Sequence, residues 1–420
     1  MAAFGVRYRI RNLRRPLSSL ALYGVVTLIL GAVAAVTVGW GLSSDNWETY
    51  ANGEEIRFSF AEESGTNWSP EQAYARLGGE RTSVKSFATN RSERPFWLLT
   101  GLPRLDAPYS VVLPSRHLRE VACWEAQDGH TTLAPVESVR STRAGVAIDS
   151  LTPGTSSLLC RARFVGPARA AILLADPAGI RLAEQRFERS GGLLFGSLLM
   201  LAAFSAVVAA VSKDSTFFFF SIWIILNLRV AAVSAGWDFS WLGLSPDLEI
   251  SFRQISLGGY SLVSGLLFGS LFKLEIKKLG LTTLFKAGIV IAAAILVSSF
   301  FLPYRTFLPV MWASAAVAAV ILGILLTKIC IASISSIAVW YGLGWGFSIL
   351  GIAGEIIRAI SNQSLDIPGV NQSTGAVISG LLTAVALAQK LNVERQQRVS
   401  AQSSAVYALQ RFRENYNAMP

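Results

Sequence analysis

The fold is decided by two apolar segments joined by a short polar break: GGLLFGSLLMLAAFSAVVAAV (residues 191–211), SKDS (residues 212–215) and TFFFFSIWIILNLRVAAVSA (residues 216–235). Each segment has the length of about 20 residues that a helix needs to cross the apolar core of a bilayer. Five more such segments follow, at residues 255–272, 281–302, 307–327, 331–354 and 374–391. Residues 191–391 therefore predict a bundle of seven transmembrane helices.

The composition agrees with a membrane protein. Hydrophobic residues make up 52% of the 420 residues, charged residues make up 15%, and the mean hydropathy is +0.45. Soluble globular domains rarely have such a composition. The net charge of +10 comes from basic residues that cluster beside the apolar segments, as they do on the cytoplasmic side of membrane proteins. Because no basic patch is interleaved with aromatic residues, we expect no nucleic-acid partner.

The same basic residues predict the orientation. A basic head, residues 1–16, carries five arginines and precedes a further apolar segment at residues 17–41. Since positive charge collects on the cytoplasmic side, we expect the N-terminus inside the cell, residues 45–189 outside and the C-terminus inside, in a bacterial inner membrane. The basic residues placed inside by this topology are Lys213, Lys273, Lys277, Lys278, Lys286, Lys328, Lys390, Arg395 and Arg398.

The segment at residues 17–41 has two interpretations. Its length favours a retained transmembrane helix, because the apolar run continues through residues 35–41, beyond a usual signal core. The small residues Ala32, Val33 and Ala34 would also fit the cleavage site of a signal peptide. The topology of the rest of the chain is the same in both cases.

Residues 45–189 predict an all-β sandwich that binds a ligand outside the membrane. Short apolar runs are separated by Gly, Pro, Asp and Ser, and inward and outward residues alternate along residues 157–164. A turn or two of helix is expected near residues 69–77. The predicted strands are residues 55–60, 96–102, 109–113, 120–125, 145–148, 157–164, 170–174 and 180–187.

Two cysteines fall on these strands. Cys123 and Cys160 lie in the compartment that is oxidising in bacteria, so a disulfide is chemically allowed. The alternative is that both are small buried core residues. Sequence alone does not show whether their Cα atoms come within bonding range.

Aromatic residues of the sandwich are the candidate ligand contacts. Exposed aromatic rings can stack on sugar rings, whereas most aromatic residues of strands fill the core. Because the charges of residues 45–189 are nearly balanced, the sandwich is not an evident trap for an anion. The candidates are Trp68, Trp97, Tyr109 and Trp124.

Within the apolar segments, Arg229 is the outlier. It follows Asn227 in the second segment, and a charge in hydrocarbon usually faces the bundle interior or water. It could pair with Glu355 or Asp238 and couple two helices, or extend its guanidinium to the outer interface. Glu355 and Arg358 are three residues apart and could pair on one helix face.

The chain carries no recognisable catalytic or metal-binding set. Its two histidines, His117 and His130, are not at the spacing of metal ligands, and no nucleophile elbow or phosphate-binding loop is present. We therefore expect no metal, no cofactor and no enzymatic activity in the chain as given.

The layout resembles the bacterial seven-transmembrane receptors with diverse intracellular signalling modules. The local similarities are KDSTF at residues 213–217, GWDFSWL at residues 236–242, and the glycines Gly192 and Gly196 at the start of the first helix of the seven. The resemblance implies an extracytoplasmic jelly-roll domain, seven helices and a cytoplasmic output. It also implies a carbohydrate or another small molecule as ligand.

Residues 392–420 predict a cytoplasmic signalling helix. Val399, Val406 and Leu409 form an incomplete apolar stripe that suits a homodimer, with a solvated single helix as the alternative. Residues 412–420 resemble the start of a PAS domain, so a longer natural protein is expected, with a PAS, GGDEF, EAL or histidine-kinase output.

The predicted function is a receptor that controls cyclic-di-GMP turnover or a kinase. The alternative is a transporter or channel with a polar path around Arg229.

Overall fold

The computed structural model describes residues 53–63, 65, 67–79, 83–103, 109–127, 133–142, 145–149, 151–235, 246–333, 335–361 and 372–417. The basic head and the apolar segment at residues 17–41 lie outside these ranges. The described part consists of a β-sandwich followed by a bundle of long helices, which is the fold class that the sequence predicts.

Twelve strands are described in the sandwich, and every pairing between them is antiparallel. The first sheet has the order β1-β12-β5-β9-β8 and the second has the order β2-β4-β10-β6-β7, while β11 pairs with β3. The strands are β1 (Glu54–Glu55), β2 (Phe58–Glu62), β3 (Ser86–Ala88), β4 (Pro95–Gly101), β5 (Ser110–Pro114), β6 (Leu118–Gln127), β7 (Leu133–Pro135), β8 (Val139–Thr142), β9 (Gly145–Ile148), β10 (Thr155–Phe164), β11 (Arg169–Ala171) and β12 (Leu173–Ala175).

The alternation along β10 explains the layers of the sandwich. Leu158, Cys160 and Phe164 are buried between the two sheets. Leu159 points to the opposite face, where it is also buried, because helix α1 (Pro70–Gly78) covers that face. Successive side chains of a strand point to opposite faces, so β10 contributes to two apolar clusters at once.

Helix α1 begins where the sequence signals a helix start. Ser69 caps its N-terminus by accepting a hydrogen bond from the backbone N–H of Gln72, and the Gln72 side chain accepts one from the backbone N–H of Ser69. This reciprocal arrangement is a capping box. The helical turns expected near residues 69–77 are therefore confirmed.

The strand predicted at residues 180–187 is wrong, because these residues lie in helix α2 (Pro177–Ser212). Asp176 caps the helix by accepting hydrogen bonds from the backbone N–H groups of Ala178 and Gly179, and proline suits a first helical turn. Ile180 packs on the sandwich and Phe187 packs on the bundle. Helix α2 therefore runs without interruption from the sandwich into the bundle.

Seven long helices are described, and each matches one of the seven predicted apolar segments. Consecutive helices pack against each other, and the last helix also contacts the first two of the seven. The helices after α1 are α2 (Pro177–Ser212), α3 (Ser215–Ala235), α4 (Pro246–Leu271), the short α5 (Lys273–Lys278), α6 (Thr282–Ser298), α7 (Tyr304–Ser333), α8 (Ser336–Ser361) and α9 (Gln372–Asn417).

Five of the described helices are long and apolar enough to cross a membrane, namely α2, α3, α7, α8 and α9, while α6 is apolar but shorter. Many large apolar side chains on these helices point outward, for example Met200, Phe204 and Val211. In water such a surface would be unfavourable, whereas lipid tails match it. The chain is a multi-pass membrane protein.

Three helix boundaries differ from the prediction. Helix α4 begins at Pro246, nine residues before the predicted start, because its first turns are polar. The predicted segment at residues 331–354 begins inside α7, which ends at Ser333. Helix α9 continues past residue 391 to Asn417 as one helix of 46 residues.

Candidate functional site at the junction of sandwich and bundle

The turn between β5 and β6, together with the start of β6, brings Arg116, His117 and Arg119 to the end of the bundle next to the sandwich. Its backbone is fixed by two hydrogen bonds: the Leu118 N–H donates to the carbonyl of Ser115 at 3.1 Å, and the Val165 N–H donates to the carbonyl of His117 at 2.9 Å. The second bond ties the turn to the end of β10. Because β6 and β10 are paired in the second sheet, Arg116 and its neighbours have a defined position.

Arg119 forms a buried ion pair with the start of α4. Its guanidinium lies 2.6 Å from Oε2 of Glu249, and Oε1 of the same carboxylate lies 3.2 Å from the guanidinium of Arg253. The three side chains are 2–4% exposed. Burial and the neighbouring Arg253 lower the pKa of Arg119, and Glu249 opposes that shift. Glu249 therefore lies between two guanidinium groups and stabilises both charges.

Arg116 joins the same turn to two other helices. Its guanidinium lies 2.7 Å from Oε2 of Glu355 on α8, and the two side chains are 14% and 18% exposed. It also donates a hydrogen bond to the carbonyl of Ser234 near the end of α3. Through Arg116 and Arg119, one short segment of the sandwich contacts α3, α4 and α8.

Apolar contacts surround these ion pairs. Val165, which follows β10, packs on Tyr304, Phe307 and Leu308 of α7. Gly166 has a positive φ of +94°, and a Cβ atom there would lie 3.1 Å from the Tyr304 ring and 3.2 Å from Nδ1 of His117. Glycine is therefore required both by the backbone conformation and by the close approach.

His117 lies in the middle of this junction. It is 8% exposed, and neither ring nitrogen makes a hydrogen bond of good geometry with the described residues. Burial, followed by the positive charges of Arg116, Arg253 and Arg119, holds the pKa of His117 well below its ordinary value of 6.5. The imidazole is therefore neutral at physiological pH.

Below the junction, a cavity of about 250 Å³ extends into the bundle. Most of its wall is apolar and comes from α4, α6, α7 and α8. At the end next to the sandwich, the wall is polar and is formed by Arg116, His117, Arg253, Glu355 and Gln372. The sandwich thus supplies part of the wall of a cavity inside the membrane domain.

Gln372, the first residue of α9, is the most unusual polar side chain of this wall. It is 2% exposed, and neither its amide nitrogen nor its amide oxygen has a hydrogen-bond partner among the described residues. A buried amide without partners is costly, and such groups are rare in folded proteins. The arrangement leaves a hydrogen-bond donor and an acceptor beside the cavity.

The predicted intramembrane residues are distributed over this region and the core. Asn227 is fully buried and donates hydrogen bonds to the Ala376 carbonyl at 3.4 Å and to the Ser379 hydroxyl at 3.3 Å, both on α9. Arg229 has its guanidinium carbon 4.8 Å from the centroid of the Phe252 ring.

Glu355 binds Arg116 of the sandwich. The side chain of Arg358 and the whole of Asp238 lie outside the described part of the chain. The functional residues that the sequence did not reveal are Arg116, His117, Arg119, Glu249 and Arg253. The available signals were the dense basic run at residues 116–119 and the four-residue spacing of Glu249 and Arg253.

The opposite end of the bundle has its own polar contact. The ammonium group of Lys390 on α9 lies 2.7 Å from the Thr216 hydroxyl of α3 and 3.3 Å from the Ser270 carbonyl of α4. It also lies 3.7 Å from Glu394, one turn further along α9. The point at which α9 leaves the bundle is therefore bonded to α3 and α4. The sandwich contacts the opposite ends of these same two helices.

Three of the four candidate ligand aromatics meet under α1. Trp97 is 1% exposed and lies 5.5 Å from partly exposed Trp124, measured between ring centroids. The partly exposed Trp68 has the guanidinium of Arg76 4.5 Å from its ring centroid. Tyr109 lies apart from them, beside the core between the sheets.

Cys123 and Cys160 occupy directly paired positions on β6 and β10, with Cα atoms 4.1 Å apart, and are joined by a disulfide. Cys330 on α7 is a free cysteine. Within the described ranges, no group of three or more His, Cys, Asp or Glu side chains is arranged to hold a metal ion.

Comparison with known proteins identifies the helical half. The sequence model of the family described as 7TM diverse intracellular signalling matches residues 189–390. No curated protein matches the chain. The matched segment contains all of the helices that form the cavity and the junction with the sandwich. Residues 189–390, slightly less than half of the chain, are therefore similar to the 7TM diverse intracellular signalling family, a family of membrane receptors that signal inside the cell.

Proposed function

We propose that this chain is the sensory part of a receptor in a bacterial inner membrane, with the sandwich outside the cell membrane and α9 leaving on the cytoplasmic side. The sandwich binds a small molecule or carbohydrate, and a movement of the sandwich changes the arrangement of the seven helices. The observation that carries this proposal is the segment at residues 116–119, since Arg116 and Arg119 of the sandwich form ion pairs with two helices of the bundle.

The orientation is supported by the position of the basic residues. Lys390 reaches the N-terminal turn of α3 and the C-terminal turn of α4. These turns adjoin Lys213 and the short helix α5 (Lys273–Lys278). Positive residues thus collect at the end of the bundle away from the sandwich, as the cytoplasmic end of a membrane protein requires.

The ligand region of the sandwich is proposed from the surface beside α1. Trp68 and Trp124 keep part of their rings exposed there, next to Arg76 and Arg161, and a sugar could stack on such rings. Oε2 of Glu63 accepts two hydrogen bonds from the guanidinium of Arg161, at 3.0 and 2.8 Å, and Oε1 accepts one from the backbone N–H of Trp68 at 2.8 Å. Trp97 is buried beneath them, where it supports Trp124.

A path from the junction to the output follows α8 and α9. Glu355 on α8 senses the sandwich through Arg116, and α8 packs along α9. Asn227 and Lys390 join α9 to α3 at two levels. Ligand binding can shift this assembly only if the ligand prefers one of two arrangements.

Helix α9 is proposed to form a homodimer and to lead to an output domain. Val399, Val406 and Leu409 are 58%, 57% and 70% exposed on the part of α9 beyond the bundle, and a second copy of the helix would cover this stripe. The output we propose is cyclic-di-GMP turnover or a histidine kinase, reached through a PAS domain or directly.

The test follows the exit of α9 in the complete chain, reconstituted in lipid nanodiscs. Cys330 is replaced by serine, and a spin label is placed at the exposed Ser404, on the face of α9 away from the apolar stripe, to measure the distance between protomers. Labels at Lys213 and Ser404 measure the distance within one protomer. Arg116→Met should change both distance distributions, because it detaches the sandwich from α8. Arg163→Met is the matched control, since its ion pair with Glu120 lies on the sandwich surface.

The exchanged variant Arg116→Glu with Glu355→Arg should restore the original distributions if the ion pair carries the coupling. Unchanged distributions in Arg116→Met would contradict the coupling. The absence of any distance between protomers would contradict the homodimer but leave the measurement within one protomer valid.

The transporter or channel alternative has less support. Neither Asn227 nor Arg229 lines the cavity, and most of the cavity wall is apolar, whereas an ion path needs polar groups along its length. Ion or solute flux through liposomes that contain only this chain would favour the alternative.

A further inference from the structure

We infer that the cavity inside the bundle is a binding site for a small amphipathic acid, with its carboxylate against the sandwich and its apolar chain among α4, α6, α7 and α8. This inference goes beyond the proposed function, because such binding does not require that the sandwich itself senses a ligand. It rests on the shape, the wall and the unpartnered polar groups of the cavity.

The inner part of the cavity requires an apolar occupant. Its wall includes Phe285, Ala318, Leu322, Leu325 and Ile352. A volume of about 250 Å³ is open to the centres of water-sized groups, and each such group takes roughly 30 Å³, so the cavity holds a chain of at least about eight heavy atoms. Water has few hydrogen-bond partners in such a wall, so an apolar chain is the better occupant.

The outer end requires a polar head group. Gln372 presents an amide donor that has no partner within the described ranges, and His117 presents a neutral imidazole that can donate one hydrogen bond. The guanidinium groups of Arg116 and Arg253 line the same end. A carboxylate can accept hydrogen bonds from all four side chains. Its bonds to the two guanidinium groups would join charged partners, and such bonds are stronger than bonds between neutral groups.

An alcohol or an amine suits this end less well. An alcohol lacks the negative charge that the guanidinium groups attract, and an ammonium group would be repelled by Arg116 and Arg253. Glu355 also lines this end, but its carboxylate is engaged by Arg116. The head group would therefore touch the turn that holds the sandwich, so the occupant contacts both domains at once.

The experiment uses the complete chain in nanodiscs of zwitterionic lipid and a photoreactive probe, decanoic acid with a diazirine near the end of its chain. After irradiation, labelled peptides are mapped by mass spectrometry. We expect labelling of the inward faces of α6 and α7 that saturates with probe concentration. Excess decanoate should compete, while decanol, which keeps the chain, and butyrate, which keeps the head, should not.

Two variants and one control locate the site. Ala318→Phe fills the apolar part and should abolish the saturable labelling. Gln372→Leu removes the unpartnered amide and should weaken competition by decanoate about tenfold. Ala332→Phe on the outward surface of the same helix α7 should leave the labelling unchanged.

The inference is overturned if labelling appears only on lipid-facing peptides, or if Ala318→Phe leaves it unchanged while the protein stays folded by its thermal unfolding curve. Equal competition by decanol and decanoate would also overturn it, because the cavity would then bind apolar chains without recognising an acid. Saturable labelling of the cavity with competition by decanoate alone supports it.

Discussion

Replacing Glu249 by glutamine tests whether the buried ion pairs hold the sandwich on the bundle. The Glu249 carboxylate contacts Arg119 at 2.6 Å and Arg253 at 3.2 Å, and all three side chains are 2–4% exposed. Glutamine keeps the shape but removes the charge between two guanidinium groups.

The size of the effect follows from Coulomb's law. At an effective dielectric constant of about 20 and a charge separation of about 4 Å, one ion pair contributes about 4 kcal/mol. Part of this loss is offset, because the glutamine at position 249 carries no charge that must be removed from water when the protein folds. Measured losses for breaking one side of a buried pair are about 3–5 kcal/mol, and we expect Glu249→Gln to fall in this range.

The assay is thermal unfolding of the complete chain in nanodiscs, followed by tryptophan fluorescence. For cooperative units of about 150–250 residues, 1 kcal/mol corresponds to about 2–4 °C, so Tm should fall by about 6–20 °C. The matched control is Glu120→Gln, which removes the same charge from a surface pair with Arg163 at 3.4 Å. Surface pairs contribute about 1 kcal/mol or less.

Equal shifts in Glu249→Gln and Glu120→Gln would refute the reasoning. A double variant, Glu249→Gln with Arg119→Met, adds a stricter test. Because the two side chains interact directly, the double variant should be less destabilised than the sum of the single variants. An additive result would mean that Arg119 and Glu249 do not stabilise each other.

Three further perturbations test other parts of the structure. Gly166→Ala should lower Tm by more than Gly154→Ala, since both glycines have a positive φ, +94° and +91°, but only a Cβ at Gly166 meets other atoms within 4 Å. The pKa of His117 is lowered in the folded state, whereas the unfolded chain binds a proton at this residue below about pH 6.5. Stability should therefore fall as the pH drops below about 6.5, by up to about 1.4 kcal/mol per pH unit. His117→Gln should flatten this dependence in thermal unfolding measured from pH 5 to 8. Reduction of the Cys123–Cys160 disulfide, which closes a loop of sequence separation 37, should cost about 2–4 kcal/mol, and thiol counting under denaturing, non-reducing conditions should find one free thiol per chain; three would contradict the disulfide.

The membrane half was predictable because a bilayer leaves few choices. An uninterrupted apolar run of about 20 residues satisfies its backbone groups within one helix, so the seven segments could be read directly. Most strands of the sandwich were found through alternation. The exception at residues 180–187 shows the limit. Ile180 and Phe187 are seven residues apart, which places them on one side of a helix but on opposite faces of a strand, and Asp176 caps the start of the helix.

The junction could not be predicted, because its partners are distant in the chain. Arg119 and Glu249 are 130 residues apart, and Arg116 and Glu355 are 239 residues apart. A single sequence shows that these residues are charged but not which charges meet. The sequence suggested Arg229 as a partner for Glu355, but it gave no sign that Arg116 of the sandwich pairs with Glu355 at 2.7 Å.

The continuity of α9 has a consequence for the angular alignment of whatever follows it. Its 46 residues extend roughly 70 Å at about 1.5 Å per residue, from Gln372 at the cavity to Asn417. Along such a rod, each residue turns the chain by about 100°, so one residue inserted after residue 391 would redirect the downstream face by about a quarter turn or more. An insertion of seven residues would nearly restore it. If α9 leads to the output domain proposed above, signalling should tolerate insertions of whole heptads between the bundle and that domain and should not tolerate insertions of single residues.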